Sequence, residues 1–384
     1  MEPQIWNKKC RYVFLLLFYL SLTGCKKNTS GDLIVFDING NFPVKTLDIE
    51  DVADIEYLVL DISDDDYLFR YFNTMTDSFI ICIGDNEFFF FSRSTGKPVS
   101  KVSRFGQGPG EYTRAGYSVY SEINDELFIY GFHEIYVYTK DGTFIRKFPL
   151  ERFNNFFVAD LYDFDKEHLL LNGFSLRKGS MRDTTFMLVS KQDGFTDVIT
   201  IPVEEWISTI WMEEGGGTVA DTYFAVRNGN DFLLTDYSSD TVYRFTPDRQ
   251  LIPVLVRKPS IQKMEPKIFL HNWLETEGYL FFSTQQRINM DIPQLPPHKG
   301  YLMDKKSGEF FQTNIKMRDF NGKVLILGSS VIHKSSNPQT GIIVLDAYEL
   351  QTANSEGKLS GKLKEVTDGL TEYDERVFMI LKFK

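Results

Sequence analysis

Five histidines, a few acid runs and one aromatic–acidic segment are the chain's candidates for chemistry. The histidines are His133, His168, His271, His298 and His333. None stands in the i, i+4 spacing that puts two imidazoles on one helix face for zinc. His133 falls in a turn and His168 just before an apolar run, so only the fold could bring them together. The densest acid run is Asp61 to Asp66, DISDDD. A calcium loop needs several oxygen ligands and a glycine at its sharp bend. This run lacks that glycine and reads as a solvated turn. Glu213-Glu214 and three glycines come shortly after Trp206 and Trp211. Indole faces beside carboxylates can stack on sugars and accept their hydroxyl hydrogen bonds, so Trp206, Trp211, Glu213 and Glu214 are candidate ligand contacts. Glycoside hydrolysis needs two carboxyl groups held roughly 5–9 Å apart, which adjacent residues in one loop do not establish. No G-x-S-x-G nucleophile elbow occurs. The sequence implies no catalytic residue, no metal ligand and no cofactor.

Sulfur chemistry points to Cys25. Lys8, Lys9 and Arg11 precede an apolar run from Tyr12 to Leu22. A basic segment followed by a short apolar one reads as a secretory signal, and the run is shorter than the ~20 residues of a membrane span. It ends in Leu22-Thr23-Gly24-Cys25, which resembles the bacterial lipobox. That resemblance implies cleavage before Cys25 and a diacylglycerol on its thiol. Residues 1–24 are then a signal peptide and 25–31 a lipidated tether, with membrane lipid as the first partner. Each buried CH₂ of the acyl chains contributes ~0.8 kcal/mol to anchoring. Cys10 leaves with the signal, so Cys82 is the one free thiol and no intramolecular disulfide can form. Cys82 lies in the apolar run FIICIG, where a packing thiol is expected.

Removing residues 1–24 takes away three basic residues and one acidic one, so the net charge of −11 becomes −13. Such a surface repels phosphate backbones, which argues against nucleic acid as a partner. Aromatic residues make up 15% of the chain, with 34 phenylalanines. That composition suits many short strands packed face to face.

Internal repetition accounts for the length better than separate domains do. The clearest unit is Glu126 to Leu150, ELFIYGFHEIYVYTKDGTFIRKFPL. It predicts strands at Leu127–Tyr130, Ile135–Tyr138 and Phe144–Phe148, with a hairpin turn at Asp141-Gly142. Ser78–Val102 and Asp231–Val256 repeat the plan. His168–Ile201, Gly278–Ile315 and Lys323–Leu350 follow it more loosely. Ile261–Leu274 is the best helix candidate. Units of this kind bury both faces when stacked radially. The expected fold is therefore all-β: a single six-bladed β-propeller over residues 32–384, with mostly four-stranded antiparallel blades of about 60 residues each. The strand at Asp32–Asp37 is expected to close the ring beside the C-terminal strand Val377–Phe383, which would shield the free edges.

Arg104 to Tyr112 reads RFGQGPGEY. The block Gly106, Gln107, Gly108, Pro109, Gly110, Glu111 and Tyr112 resembles the six-bladed β-propeller lipoproteins of Bacteroides-type bacteria, relatives of the NHL-like propellers. The stretch IEYLVL at 55–60 and the chain end TEYDERVFMILKFK are similar to that family too. Glu375-Arg376 departs from its usual Asn-Pro. Physically, three glycines in five residues permit a tight loop with positive φ. Its backbone N–H groups could form an anion-binding nest. Alternatively, it is a structural loop between blades, anchored by hydrogen bonds from Glu111 and Tyr112. It is neither a Walker loop nor a dinucleotide fingerprint, since no Lys-Ser/Thr and no helix follow. Surface lipoproteins of such bacteria often carry acids after the lipidated cysteine. Lys26 and Lys27 stand there instead, which places this protein on the periplasmic side of the outer membrane.

Taken together, these residues read as a lipid-anchored envelope protein that binds or scaffolds without catalysis. Its partner would be a glycan, a peptide or another envelope protein. The alternative is a lyase or hydrolase whose site lies at the axial mouth of the propeller. That alternative requires His and acidic side chains from several blades to meet there.

Overall fold

The computed structural model describes residues 33–384 apart from 64, 132, 151–155, 178–179, 182–185, 208–224, 287–297, 326–334, 336 and 338. The chain opens with three strands, β1 (Ile34–Asp37), β2 (Val44–Asp48) and β3 (Ala53–Val59). One turn of helix, α1 (Ile49–Val52), joins the last two.

Five antiparallel meanders follow, each read here from its inner strand outward. Blade 1 is β4 (Tyr71–Met75), β5 (Phe79–Ile83), β6 (Phe88–Ser92) and β7 (Pro98–Val102). Blade 2 is β8 (Ser118–Ser121), β9 (Glu126–Tyr130), β10 (Glu134–Tyr138) and β11 (Phe144–Pro149). Blade 3 is β12 (Phe156–Asp163), β13 (His168–Arg177), β15 (Phe186–Ser190) and β16 (Thr196–Ile199), with β14 (Ser180–Met181) paired to β13. Blade 4 is β17 (Ala225–Asn228), β18 (Asp231–Leu234), β19 (Thr241–Phe245) and β20 (Leu251–Lys258). Blade 5 is β21 (Ile268–Glu275), β22 (Tyr279–Gln286), β23 (Lys299–Asp304) and β24 (Phe310–Lys316), with β25 (Val324–Leu325) paired to β24. A closing sheet has the order β26 (Thr340–Asp346), β27 (Arg376–Phe383), β3. Helices α2 (Ala347–Ser355) and α3 (Gly361–Asp368) lie between β26 and β27 in the chain. The Asp346 carboxylate caps α2 by accepting from the Glu349 N–H at 2.8 Å, which satisfies one orphan donor of the first turn.

The architecture is an all-β propeller of four-stranded antiparallel blades. The expected count of six such blades is corrected to five. In the closing sheet α2 and α3 are inserted between the paired strands β26 and β27, and among the described residues no strand pairs with the other edge of β26, so the sheet has three strands. Ring closure also differs from expectation. The strand at Asp32–Asp37 does not meet the C-terminus; β1 lies parallel to β20 on the outer edge of blade 4. The strand that pairs with β27 is β3, in unbroken register from Ala53↔Phe383 to Val59↔Val377. Both segments have strand character, and only their long-range partners distinguish them. Between them, β2 pairs in parallel with β24 on blade 5. Residues 34–59 thus form a belt laid across the outer edges of three consecutive sheets.

Apolar layers fill every gap between neighbouring sheets. One joins blades 1 and 2 through Phe88, Phe90, Tyr120 and Tyr138. Another joins blades 2 and 3 through Phe128, Val137, Leu169 and Leu171. The largest spans blades 3, 4 and 5 and takes in Phe36 of β1. Two more seat the closing sheet, one against blade 5 and one against blade 1. The proposed helix at Ile261–Leu274 is a second correction. Pro266 interrupts it, a single 3₁₀ turn forms at Ile261–Lys263, and β21 takes the rest.

Met379 is fully buried in the middle of β27, opposite Ile343 on one side and Tyr57 on the other. Truncating such a side chain costs its transfer energy plus a cavity. Met379→Ala should destabilise the fold by about 2–4 kcal/mol, seen as a lower urea midpoint with the slope unchanged.

Candidate binding face

The two faces of the propeller are built differently. In a meander, the turns after the first and third strands lie on one face and the other connections on the opposite face. On the first face every connection is short: 76–78, 122–125, 164–167, 229–230 and 276–278, then 93–97, 139–143, 191–195, 246–250 and 305–309. The tight turns after the third strands need a residue at positive φ. Gly96, Gly142, Gly194 and Gly308 supply it at φ of 70°, 81°, 77° and 74°, and Arg249 adopts 64° in blade 4. A glycine meets this need without a Cβ penalty. Among the described residues, the opposite face carries the connections 103–117, 200–207 and 259–267, together with α2 and α3.

The tight-turn face is stitched from blade to blade by polar bonds. Thr76 Oγ1 donates to Glu122 Oε1 at 2.7 Å, and the Ser78 N–H donates to the same oxygen at 2.8 Å, tying blade 1 to blade 2. Lys191 ties blade 2 to blade 3. Its ammonium donates to Asp163 Oδ1 at 2.6 Å, the Asp165 carbonyl at 2.6 Å, Asn124 Oδ1 at 2.8 Å and Ser121 Oγ at 3.1 Å. Burial pulls the Lys191 pKa down, and Asp163 opposes that shift. Glu275 ties blade 4 to blade 5, accepting from Arg244 at 2.8 Å and from Asn228, and pairing with Lys305 of its own blade at 2.6 Å. Asn337 Nδ2 donates to Asp77 Oδ1 at 3.0 Å and brings the closing segment to blade 1. These groups are spent on one another, so this face is structural.

The Gly106–Tyr112 loop lies on the other face, between β7 and β8. The Gly108 N–H donates to Glu111 Oε2 at 2.8 Å. A Cβ at Gly106 would stand 1.9 Å from that same oxygen, so the glycine is required by the carboxylate beside it. The loop's concavity therefore holds its own anion, Glu111. Tyr112 is fully buried, and its hydroxyl donates to the Asn86 carbonyl at 2.6 Å. Tyr138 of blade 2 donates to the Gly110 carbonyl at 2.8 Å, and Arg104 Nε donates to the Gly142 carbonyl at 2.9 Å. The block clips blade 1 to blade 2.

Of the other candidate contacts, Trp206 is 39% exposed on the connection between β16 and β17. Trp211, Glu213 and Glu214 lie outside the described residues, as do residues 1–31 with Cys25. Trp206 shares the loop face with Tyr71, Tyr117, Tyr348 and Tyr373, all exposed. The last four were not singled out from sequence, because exposed tyrosines carry no local signal. At the inner strands below, Asn73 donates to Ser118 Oγ at 2.9 Å between blades 1 and 2. His271 and His298 come together with ring centroids 4.8 Å apart, a pairing that β21–β23 of blade 5 create and that spacing cannot reveal. His168 instead sits on the tight-turn face, with Nδ1 3.0 Å from Asp165 and Nε2 3.0 Å from Arg249. In the acid run, Asp61 accepts from Ser63 Oγ at 2.7 Å, which holds its carboxyl below the usual range. Among the described residues, no three His, Cys, Asp or Glu side chains are placed to hold a metal.

A radial ring of antiparallel blades, one face tied by ion pairs and the other built from long connections, defines a β-propeller. Residues 33–382 match the family called Domain of unknown function, DUF4934, and the chain belongs to that family. Its fold is similar to that of a Bacteroides fragilis protein described as exported, 15% identical with a TM-score of 0.64, over 92% of this chain and 100% of that one. A member of the DUF4221 family from Bacteroides vulgatus is 10% identical with a TM-score of 0.50, over 87% and 97% of the two chains. At such identities the likeness shows the fold. No curated protein matches the chain by sequence.

Two measurements probe this organisation. Lys191→Ala leaves Asp163 without its cation in a buried setting, and should destabilise the protein by about 3 kcal/mol or more in urea unfolding. Cys82 is fully buried, and burial pushes its thiol pKa well up. It should resist a disulfide reagent at pH 8 in the native protein and react at once in denaturant; quick native labelling would contradict that environment.

Proposed function

We propose that this protein is a binding or scaffolding propeller of the bacterial cell envelope, anchored by lipid at Cys25 and facing the periplasm. Its long-loop face holds a glycan, a peptide or a partner protein. The observation that carries this reading is the contrast between the faces. Tight turns and mutual ion pairs occupy one, while the other gathers the long connections and five exposed tyrosine and tryptophan residues. Long loops on a rigid scaffold are where binding residues concentrate. Exposed tyrosine and tryptophan bring large contact area with few rotatable bonds. The apolar segment before Cys25, its lipobox-like end and the exported description of a structural neighbour support the envelope address.

Tagged protein should be tested on glycan arrays and in capture from envelope extracts, beside a Tyr71→Ala/Tyr117→Ala variant and a Lys166→Ala/Asp193→Ala variant of the tight-turn face. Binding lost in the first and kept in the second is the expected result. Equal loss in both, or no ligand in either assay, would count against the loop face. Cys25→Ser should abolish acyl labelling and release the protein from membranes.

A further inference from the structure

Arg227 lies on β17, the inner strand of blade 4, with Phe232 directly across the ladder. Its guanidinium carbon sits 4.7 Å over the Phe232 ring. Phe232 is fully buried and wedged against Tyr162 and Phe164 of blade 3, at centroid distances of 5.6 and 5.8 Å. The platform under the guanidinium is therefore rigid.

Other basic groups around the ring are committed to acids. Arg93 grips Glu56 with two bonds of 3.0 Å, and Arg146 grips Glu126 with bonds of 2.6 and 2.8 Å. Lys191 is spent on Asp163, and Arg244 and Lys305 on Glu275. Arg227 makes no hydrogen bond or ion pair with any described residue. Among the described residues the acid that acts on it electrostatically is Asp163, which already takes Lys191 at 2.6 Å. A mostly buried guanidinium normally has a partner. This one is oriented by stacking, and its planar fork of N–H donors is not spent on any described residue.

We propose that Arg227 anchors an oxyanion site where the inner edges of blades 3 and 4 meet, and that its ligand is a carboxylate held by two parallel N–H···O bonds. Arg–carboxylate pairs favour that bidentate geometry. The charge balance selects the class of anion. Lys191 already neutralises Asp163, so the one guanidinium offsets a single negative charge, which suits a monocarboxylate better than a phosphate dianion. The site stands independently of the loop-face reading, since it rests on an inner strand.

Acetate and inorganic phosphate are the probes, titrated at constant ionic strength against chloride by calorimetry and by thermal unfolding. The wild-type protein should bind acetate saturably and more tightly than phosphate. Arg227→Gln should weaken acetate at least tenfold. Arg227→Lys, which keeps the charge and the stem, should still lose severalfold because the fork is gone. Native circular dichroism of both variants separates lost binding from lost fold; if Arg227→Gln does not fold, the lysine variant decides. Absence of saturable acetate binding, or unchanged affinity in the variant that folds, overturns the site. Phosphate binding more tightly than acetate overturns the carboxylate assignment.

Discussion

Everything in this molecule depends on the seven-residue pairing of β3 with β27. A ring of sheets cannot cover its last face until the two ends of the chain meet. Here they meet as neighbouring strands, Ala53–Val59 against Val377–Phe383. This join is a ladder of backbone hydrogen bonds over a packed apolar face, with Ile343, Val377, Met379 and Leu381 all buried in it. The residues before β3 extend the same device. By adding β1 to blade 4 and β2 to blade 5, the belt crosses two sheet boundaries before it reaches the third. Each added strand also covers an outer edge that would otherwise present unpaired backbone groups.

Closure by a belt leaves the inner ends of the blades to be aligned by other means, and the polar stitches do this. Lys191 and Glu275 each gather groups from two blades at the tight-turn face. Groups this buried cost desolvation, so such bonds add less net stability than their number suggests. Their geometry is specific, however, and they hold neighbouring turns at one relative height. With that face tied, the Gly106–Tyr112 clip is what joins blades 1 and 2 on the opposite side. Loops elsewhere on that face can then vary in length without disturbing the ring.

What could be read from the sequence follows the same division. The repeated units at Ser78–Val102, Glu126–Leu150 and Asp231–Val256 correspond to the second, third and fourth strands of blades 1, 2 and 4. These strands are legible because they are apolar runs between turns that need glycine or a polar residue. The inner strands were missed in every case. SVYS at 118–121 and AVRN at 225–228 are short, mixed and without alternation. Ring closure was assigned to DLIVFD because register across three hundred residues leaves no local mark. Glu111 filling the glycine loop was readable as one of two alternatives. The His271–His298 contact and the stacked Arg227 were beyond reach, since each depends on which strands become neighbours.

The invisibility of the inner strands has a geometric cause. Blades diverge from the axis like wedges, so the space between neighbours widens outward. Near the axis the inner strands place small residues, Ser118, Ser121, Thr74 and Ala225, among larger buried ones such as Tyr120 and Phe269. Further out the gap needs phenylalanine and tyrosine, such as Phe88 to Phe91, Phe128, Phe186 and Phe282. At the rim of blades 4 and 5 it still takes Phe36 and Phe42 from the belt, packed on Tyr301 and Phe310. Packing thus selects large apolar residues most strongly in the second and third strands, which is why the chain is rich in phenylalanine and its repeats are visible. The inner strands mix buried apolar residues such as Leu161 and Phe269 with buried polar ones such as Asn73 and His271, so no clean pattern marks them. A stacked guanidinium on β17 and a fully buried histidine on β21 belong to that mixture.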